Sequence, residues 1–359
     1  MLPHYPKQWM NDYDGWQSWT EDLSKGHGYV ALKIVQANTT EARILKYRAQ
    51  CPRDHPGSNH VMKLRDHFVI KTTNGSYDGL ALELVGLNVF TALENSPYGK
   101  LSRDRARRAS VQAAMGLTYM HQWKVGHGDL HSGNVCFAAL DMNNLSEAQI
   151  MSHLGPPYLQ AVRRRDGKAI LPSVPSYTVK PSSFTQARGG IKIIDLGQAF
   201  FFDRKPERII TPVKVKAPEL LLSTNSLSWD YRVDLWALGC LVYVILFYEF
   251  FVGKPAFNTL TPKALLLEMT RMVRDPPHRW QSQFNSEEFL NPDGTPREIY
   301  EGPRPLEETL KADYDFLGGD MTPEELKLLA ALLRELLVLE PEERKSASEI
   351  VDNPWLCGS

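Results

Sequence analysis

Three short polar motifs constrain the fold of this 359-residue chain more than any other feature. The first is the run His127-Gly128-Asp129-Leu130-His131-Ser132-Gly133-Asn134, the second begins at Asp195, and the third is Ala217-Pro218-Glu219. An Asp, an Asn five residues later and a second Asp before Leu-Gly supply the oxygen ligands that magnesium ions need around a nucleotide triphosphate. The fold must bring Asp129, Asn134 and Asp195 to one cleft, and the pattern predicts a phosphoryl-transfer site there.

The spacing of these residues carries the argument. Each residue alone would be unremarkable, because Asp and Asn are common in surface turns. A five-residue loop, however, lets a proton acceptor and a metal ligand face one site from a single turn. We expect Asp129 to accept the hydroxyl proton of the phosphate acceptor, and Asn134 and Asp195 to ligate the magnesium ions.

Composition excludes several other classes of protein. Hydrophobic residues make up 43% of the chain and charged residues 23%, which is enough to bury a large core in two lobes. A formal net charge of -1 gives no bulk field for nucleic acid or an anionic membrane, so neither is an expected partner, and we expect a monomer. The four cysteines form no C-x-x-C pair, and the start Met1-Leu2-Pro3 is not a signal peptide. A cytoplasmic or nuclear location is expected.

One segment, residues 235–251, is nearly long enough to cross a bilayer. Glu249 lies inside it and Asp234 lies at its edge, and charges at these positions are costly in lipid. A core helix that is buried on all sides is the favoured interpretation.

The first 86 residues predict a small, mainly β unit. The turn signal Asn74-Gly75 predicts a hairpin. A helix is expected to begin at Thr39-Thr40, whose side chains cap it, and to end at Cys51-Pro52. The strand-like runs are residues 28–35, 61–70 and 80–85.

The remainder of the chain predicts helices. Ser102 is expected to cap a long helix that leads into His127, and residues 323–339 predict a Leu-rich helix. The capping box Ser346-Ala347-Ser348-Glu349 predicts the start of the last helix. Proline and glycine interrupt residues 143–190, an expected inserted and partly flexible loop, and residues 276–305, an expected surface insertion.

Taken in order, these motifs resemble those of the eukaryotic protein kinases. His-x-Asp-x-x-x-x-Asn, Asp-Leu-Gly and Ala-Pro-Glu are followed by the run Asp234-Leu235-Trp236-Ala237-Leu238-Gly239 and by Arg344. The resemblance covers roughly residues 30–356 and implies an α+β, two-lobed protein-kinase-like fold. It implies a truncated or divergent nucleotide-binding N-lobe at residues 1–86 and a helical C-lobe at 87–359, interrupted by an insertion at 140–190.

A narrower resemblance concerns the substrate. Asp195-Leu196-Gly197-Gln198-Ala199, the hinge-like Glu83-Leu84-Val85-Gly86 and the long insertion are similar to the kinases of serine/arginine-rich splicing factors, in a divergent fungal form. This implies a serine/threonine kinase that uses ATP and Mg²⁺ on a protein substrate rich in Arg and Ser. Three acidic pairs are candidates, by charge alone, for docking such a peptide: Glu287-Glu288, Glu307-Glu308 and Glu324-Glu325.

The resemblance also implies roles in the N-lobe. Lys33 would contact the α- and β-phosphates and pair with Glu41. Leu82 would be the gatekeeper, and the backbone of Glu83 and Val85 would hold adenine. The alternative for Lys33 is a solvated lysine on a strand, and the alternative for Glu41 is a first-turn glutamate favoured by the helix dipole. For the residues from Leu82 to Val85, the alternative is ordinary strand packing.

Two further roles implied by the resemblance are structural. Glu219 would form a buried pair with Arg344. Asp234 would anchor the backbone of the loop around Asp129.

Three departures from the kinase pattern stand out. No G-x-G-x-x-G precedes Lys33, so either the chain is a truncated version or nucleotide binding is impaired. Gly128 replaces the usual Arg beside Asp129, so activity is not expected to require phosphorylation of Thr211. His131 stands where kinases usually carry Lys; we expect it to donate to the γ-phosphate, and a packed loop histidine is the alternative.

Two other functions remain open at this point. His-Gly-Asp-Leu-His-x-Gly-Asn is also how the loop is written in aminoglycoside and related small-molecule phosphotransferases. Those enzymes are not expected to carry Ala-Pro-Glu followed by Asp-x-Trp-x-x-Gly and a partner Arg. A pseudokinase scaffold would explain the missing glycine loop, but it would have no need of Lys33, Asp129, Asn134 and Asp195 together.

Overall fold

The computed structural model describes residues 29–73, 75–96, 101–139, 145–170, 174–179, 187–222, 229–247, 257, 262–273, 306–317 and 321–358. Its packing divides the chain into two compact units. The smaller unit comprises Met1–Ala37, Arg65–Leu87 and Ala138–Arg188, and the larger unit comprises Asn38–Leu64, Asn88–Phe137 and Gly189–Ser359. The domain boundary expected between residues 86 and 87 stays a prediction.

The described strands and helices have the following bounds. The strands are β1 (Ala31–Gln36), β2 (Leu64–Thr72), β3 (Gly75–Leu82), β4 (Val85–Asn88), β5 (Val125–Gly126), β6 (Val135–Ala139), β7 (Leu159–Ala161), β8 (Tyr177–Val179), β9 (Ala187–Ile193) and β10 (Phe200–Phe201). The α-helices are α1 (Thr40–Gln50), α2 (Val89–Glu94), α3 (Arg103–Gln122), α4 (Glu147–Leu154), α5 (Pro218–Leu222), α6 (Val233–Phe247), α7 (Pro262–Met272), α8 (Leu306–Leu317), α9 (Pro323–Leu336), α10 (Ala347–Val351) and α11 (Pro354–Cys357).

The smaller unit contains a three-stranded sheet in the order β1-β3-β2. Strands β1 and β3 are antiparallel, with Ala31 opposite Leu82 and Lys33 opposite Leu80. Because side chains alternate across a sheet, Lys33 and Leu82 lie on the same face. Strands β2 and β3 are the expected hairpin, although Asn74 of the turn lies outside the described residues.

The predicted insertion contains regular structure in its described part. Helix α4 and the antiparallel pair β7–β8 both lie between residues 140 and 190, so the expectation of an irregular loop is wrong for those residues. The chain from 276 to 305 lies outside the described residues.

Helix α6 is the centre of the larger unit. It packs against α3 and α9, and residues Leu235, Trp236, Leu238, Cys240 and Leu241 along it are each at most 1% exposed. The expected core helix is therefore confirmed. Within the described part of the chain, no helix combines the length and the apolar character needed to cross a membrane.

The helix caps follow from local sequence in most cases. Thr39 accepts a hydrogen bond from the Ala42 backbone nitrogen at 3.3 Å, and Ser346 forms the expected capping box with Glu349. Ser102 occupies the expected N-cap position of α3, but its side chain makes no cap hydrogen bond. The predicted position is therefore confirmed, and the predicted hydrogen bond is wrong.

Candidate active site

The loop between β5 and β6 brings Asp129 and Asn134 into direct contact. The side-chain Nδ2 of Asn134 donates to the Asp129 carbonyl oxygen at 2.9 Å and to its carboxylate Oδ2 at 3.1 Å. The backbone nitrogen of Asn134 donates to the His131 carbonyl oxygen at 2.8 Å, which closes the turn. The amide thus orients the carboxylate that the sequence predicts to be the proton acceptor.

A buried carboxylate holds the start of this loop. Asp234, in the first turn of α6, is 1% exposed. Its Oδ2 accepts from the backbone nitrogen of His127 at 2.7 Å, and its Oδ1 accepts from that of Gly128 at 2.8 Å. Buried backbone donors need such partners, so the expected anchoring role of Asp234 is confirmed.

His127 ties the loop to the strand that leads to Asp195. Its ring is fully buried; Nδ1 accepts from the Asp129 backbone nitrogen at 3.2 Å, and Nε2 donates to the Ile194 carbonyl oxygen at 3.0 Å. The Ile194 backbone nitrogen in turn donates to the Asn134 carbonyl oxygen at 2.9 Å. Residue 195 therefore follows directly on a position that is hydrogen-bonded to the loop.

Asp195 has a left-handed backbone conformation, with φ 59° and ψ 77°. Residues other than glycine adopt this region at a cost, and such strain is concentrated at functional sites. Its Oδ1 accepts from the Gly197 backbone nitrogen at 3.4 Å, so the side chain is turned toward the Leu-Gly turn that follows.

The chemistry of these groups fits a magnesium ion. Because both side-chain hydrogen bonds of Asn134 use its nitrogen, its amide oxygen remains a candidate ligand together with the Asp195 carboxylate. Among the described residues there is no cluster of three or more His, Cys, Asp or Glu suited to a metal. Mg²⁺ is commonly held by one or two protein groups and by substrate phosphates, so this donor set is compatible with it.

The second carboxylate oxygen of Asp129 is also notable. Oδ1 is buried and has no hydrogen-bond partner among the described residues. A buried oxygen of this kind is usually hydrogen-bonded, and exceptions are often found at catalytic residues.

His131 lies beside Asp129, as the loop spacing suggested. Its Nδ1 accepts from the Gly133 backbone nitrogen at 3.0 Å, which places the ring proton of the neutral form on Nε2. Nε2 lies 3.7 Å from Asp129 Oδ2. The histidine is thus near the reacting groups, and its role as a donor to the γ-phosphate stays a prediction.

The remaining candidate residues are divided between the two units. Lys33, Leu82, Glu83 and Val85 lie in the smaller unit, where Lys33 is part of β1 and Leu82 ends β3. Glu41 lies in the larger unit, in the first turn of α1, and is 6% exposed. The Lys33–Glu41 pair and the adenine contacts stay predictions.

A buried ion pair supports the end of the larger unit. Arg344 Nη1 and Nη2 donate to the two carboxylate oxygens of Glu219 at 2.6 Å and 2.7 Å, and both side chains are almost fully buried. Further donor groups of Arg344 bind backbone carbonyl oxygens: Arg232, Val338 and Leu339. The expected pairing of Glu219 with Arg344 is confirmed.

Sequence reasoning missed two contacts of the activation segment, which we define as residues 198–216. Gln198 Oε1 accepts from the Ile210 backbone nitrogen at 2.9 Å. Thr211 Oγ1 donates to the Gly128 carbonyl oxygen at 2.9 Å and is 8% exposed. No local signal in the sequence singles out Gln198.

The same region explains Gly128. Its φ is +75°, and a Cβ placed there would lie 2.6 Å from the Gln198 carbonyl oxygen. The position of the usual kinase Arg is therefore closed to any side chain by the main chain of the activation segment.

The chain is similar to known protein kinases. Residues 179–356 match the protein kinase domain family. The chain is 25% identical over 341 residues to a serine/threonine protein kinase of Aspergillus fumigatus, covering 92% of this chain and 78% of that protein. It is 25% identical to the serine/threonine-protein kinase SRPK of Physarum polycephalum, covering 93% and 81%. It is 26% identical to the dual specificity protein kinase lkh1 of Schizosaccharomyces pombe, covering 90% and 41%.

The fold is also shared with a solved structure. The crystal structure of a kinase domain matches with a TM-score of 0.59 and 22% identity, covering 92% of this chain and 88% of that chain.

Proposed function

Because the chain belongs to the protein kinase superfamily, we propose that it is a serine/threonine protein kinase that transfers the γ-phosphate of ATP, with Mg²⁺, to a protein hydroxyl. The contact of Asn134 Nδ2 with Asp129 Oδ2 at 3.1 Å is the single observation that carries this proposal. It holds a proton acceptor and a metal ligand in one short loop.

Each residue of the loop has a separate task in the proposed reaction. The Asp129 carboxylate accepts the proton of the attacking hydroxyl, and Asn134 keeps this carboxylate in position. The Asn134 amide oxygen and the Asp195 carboxylate would hold the metal ion. Magnesium, when bound with ATP, supplies charge neutralisation at the phosphate oxygens. Lys33 reaches the α- and β-phosphates in this proposal.

The way in which α5 is held in the larger unit favours a protein substrate over a small molecule. Pro218 and Glu219 begin α5, and the buried pair of Glu219 with Arg344 joins that helix to the C-terminal part of the larger unit. A small-molecule phosphotransferase needs no such support for a peptide, so this observation favours the protein kinase.

The location of the protein is proposed from its thiols. All four cysteines are free, and three of them are buried. Burial raises the pKa of Cys136 to about 12, so this thiol is unreactive. We therefore infer a reducing compartment, the cytoplasm or the nucleus.

The test is transfer of labelled γ-phosphate from ATP, in the presence of Mg²⁺, to a protein substrate, an Arg/Ser-rich peptide and an aminoglycoside. The wild type should label protein or peptide, and Asp129→Asn should reduce turnover by roughly 10²- to 10⁴-fold. Asp104→Asn, which changes an exposed carboxylate on α3, is the matched control and should retain activity.

Other outcomes identify the alternatives. Labelling of the aminoglycoside alone would indicate a small-molecule phosphotransferase. Absence of transfer, together with no shift in melting temperature on addition of ATP and Mg²⁺, would indicate a scaffold, since a ligand that binds the native state must stabilise it.

A further inference from the structure

Arg48, in the last turn of α1, binds three backbone carbonyl oxygens of the segment that follows this helix. Its Nη2 donates to the Ser58 and Val61 carbonyl oxygens, each at 2.9 Å, and its Nη1 donates to the Met62 carbonyl oxygen. The side chain thus joins α1 to residues that lie 10 to 14 positions later in the chain. Hydrogen bonds from a charged donor are stronger than those between neutral groups, so we expect this connection to be firm.

The Arg48 guanidinium also contacts α3. Its Cζ lies over the ring of Tyr119, 5.5 Å from the ring centroid. Tyr119 is 2% exposed, and its hydroxyl donates to the Pro52 carbonyl oxygen at 3.4 Å. A cation over an aromatic face is favourable, and a buried ring limits the positions that the guanidinium can take. Arg48 is therefore held by two different parts of the larger unit.

The residues that Arg48 binds are paired, in turn, with the strand that leads to Asp195. Val61 forms a parallel β-bridge with Ile193, and the Met62 backbone nitrogen donates to the Ile193 carbonyl oxygen at 2.8 Å. Val61 and Ile193 are fully buried. Residues 61–62 therefore connect Arg48 to the end of β9, and all of these residues belong to the larger unit.

Asp195 needs such support because its backbone is left-handed, with φ 59°. A residue with a Cβ adopts this conformation at a cost, and it persists only where the surrounding structure holds it. The loop around Asp129 supplies part of that support, since the Ile194 backbone nitrogen donates to the Asn134 carbonyl oxygen and the Ile194 carbonyl oxygen accepts from His127. The bond from residue 62 adds support one position earlier, at residue 193.

We propose that Arg48 is a positioning residue for Asp195, acting through residues 61–62 and β9, and that it thereby raises the affinity of the site for Mg²⁺. This inference rests on the proposed kinase function, in which Asp195 is a metal ligand. Without Arg48, the carbonyl oxygens of residues 58, 61 and 62 lose a charged partner, so the segment that supports β9 is held less firmly. Asp195 can then relax from its left-handed conformation. Groups that orient a metal ligand typically change metal affinity by roughly 10- to 100-fold.

The test is Arg48→Met, which retains an apolar stem and removes all the donor groups. Mg²⁺ is titrated at a fixed ATP concentration, and two quantities are measured: phosphate transfer to the protein or peptide that the wild type labels, and the melting temperature. We expect the Mg²⁺ concentration at half-maximal effect to rise roughly tenfold in both. The KM for the protein or peptide should equal that of the wild type, because the network of Arg48 ends at the metal ligand.

Two control variants separate this effect from a general loss of stability. Arg43→Met changes an exposed arginine of the same helix, whose Nη2 binds the Thr40 hydroxyl, and it should behave as the wild type does. Ile350→Val removes a methyl group from a buried side chain of α10, so it lowers the melting temperature without changing the contacts of Arg48. If Arg48 acted on stability alone, Arg48→Met and Ile350→Val would have the same Mg²⁺ dependence.

Arg48→Lys keeps the charge and has three donor hydrogens on one nitrogen, so it should raise the Mg²⁺ requirement less than Arg48→Met does. It takes the place of Arg48→Met if that variant does not fold. A wild-type Mg²⁺ dependence in the folded variant would overturn this inference and leave the proposed function intact. Absence of phosphate transfer by the wild type, with no shift in melting temperature on addition of ATP and Mg²⁺, contradicts the kinase function itself and the inference with it.

Discussion

Asp234 accepts a hydrogen bond of 2.7 Å from the backbone nitrogen of His127, which lies 107 positions earlier in the chain. The same carboxylate also accepts from the Gly128 backbone nitrogen at 2.8 Å. One buried side chain thus satisfies two buried amides directly before Asp129. The position of the proposed proton acceptor depends on a residue that never touches substrate.

Replacement of this carboxylate by an amide tests that dependence. Asp234→Asn turns one acceptor oxygen into a donor that faces a backbone N–H, so we expect a loss of about 1–3 kcal/mol in the free energy of unfolding. We also expect a lower kcat. Denaturant unfolding and peptide kinetics measure both, with Asp230→Asn, at a carboxylate 40% exposed, as the control. Equal stability of the two variants would contradict the anchoring role.

The close approach at Gly128 predicts that no side chain is tolerated there. Gly128→Ala places a Cβ 2.6 Å from the Gln198 carbonyl oxygen at φ +75°, whereas Gly155→Ala has a similar φ of +70° and nothing within 4 Å. Both variants should lose about 1 kcal/mol from the backbone conformation. Gly128→Ala alone should lose further free energy of unfolding, because of the contact with Gln198, and it should also lose activity. Thermal unfolding compares them, and equal losses would show that the contact with Gln198 is unimportant.

The buried pair of Glu219 and Arg344 should be costly to break from one side. We expect Glu219→Gln or Arg344→Met to lower the free energy of unfolding by roughly 3–5 kcal/mol, since each leaves a buried charge without its partner. The double variant should lose less free energy of unfolding than the sum of the two single losses. The exposed pair Glu307–Arg334 is the comparison, with roughly 0–1 kcal/mol expected from its coupling. Additive losses at Glu219 and Arg344 would contradict direct coupling.

Thr211 should act through its hydrogen bond and not through a phosphate. Its hydroxyl is buried and donates to Gly128, so Thr211→Val should lower kcat about tenfold, the equivalent of one lost hydrogen bond of about 1.4 kcal/mol. Thr211→Ser should retain activity. Because Thr211→Ala removes the same hydrogen bond, an inactive Ala variant would not distinguish the hydrogen bond from phosphorylation. Treatment of the wild type with a phosphatase does distinguish them, and loss of activity on this treatment would contradict the prediction.

His60 should contribute to acid sensitivity. Burial lowers its pKa below the ordinary 6.5, more than its hydrogen bond to the Ile191 carbonyl oxygen raises it, and Lys192 and Lys63 lower it further. A group with a lowered pKa in the folded state stabilises above its unfolded pKa, and this contribution is lost as the pH falls through the folded pKa.

Unfolding by denaturant between pH 8 and pH 5 measures this effect. The free energy of unfolding of the wild type should fall more below about pH 6.5 than that of His60→Gln. His153→Gln, at an exposed histidine of α4, should follow the wild type. Parallel curves for the wild type and His60→Gln would exclude His60 as a source of the pH dependence.

The elements that sequence predicted well are those specified within a few residues. Helix α1 begins after Thr39 and ends before Cys51, because a capping threonine and a Cys-Pro step act locally. Ser102 shows the limit of such signals, since it lies at the N-cap position without making the cap bond.

The site was predictable to the same extent. Asp129 and Asn134 meet because only a short loop separates them, and the contact is visible in their spacing. The bonds from His127 to Ile194 and from Thr211 to Gly128 join positions 67 and 83 residues apart. Such contacts depend on how distant segments pack, and no pattern along the chain specifies them. Gly128 illustrates the difference, since sequence showed a missing cation and structure showed a steric reason for it.

Arg344 has a consequence for the order of folding. Its guanidinium contacts Glu219 across 125 positions and the Arg232 carbonyl oxygen across 112, so both contacts close the same long stretch of chain, at a cost in chain entropy. Local turns and helices cannot assemble its surroundings early. We therefore expect the contacts of Arg344 to form late in folding, after the distant segments around it have packed.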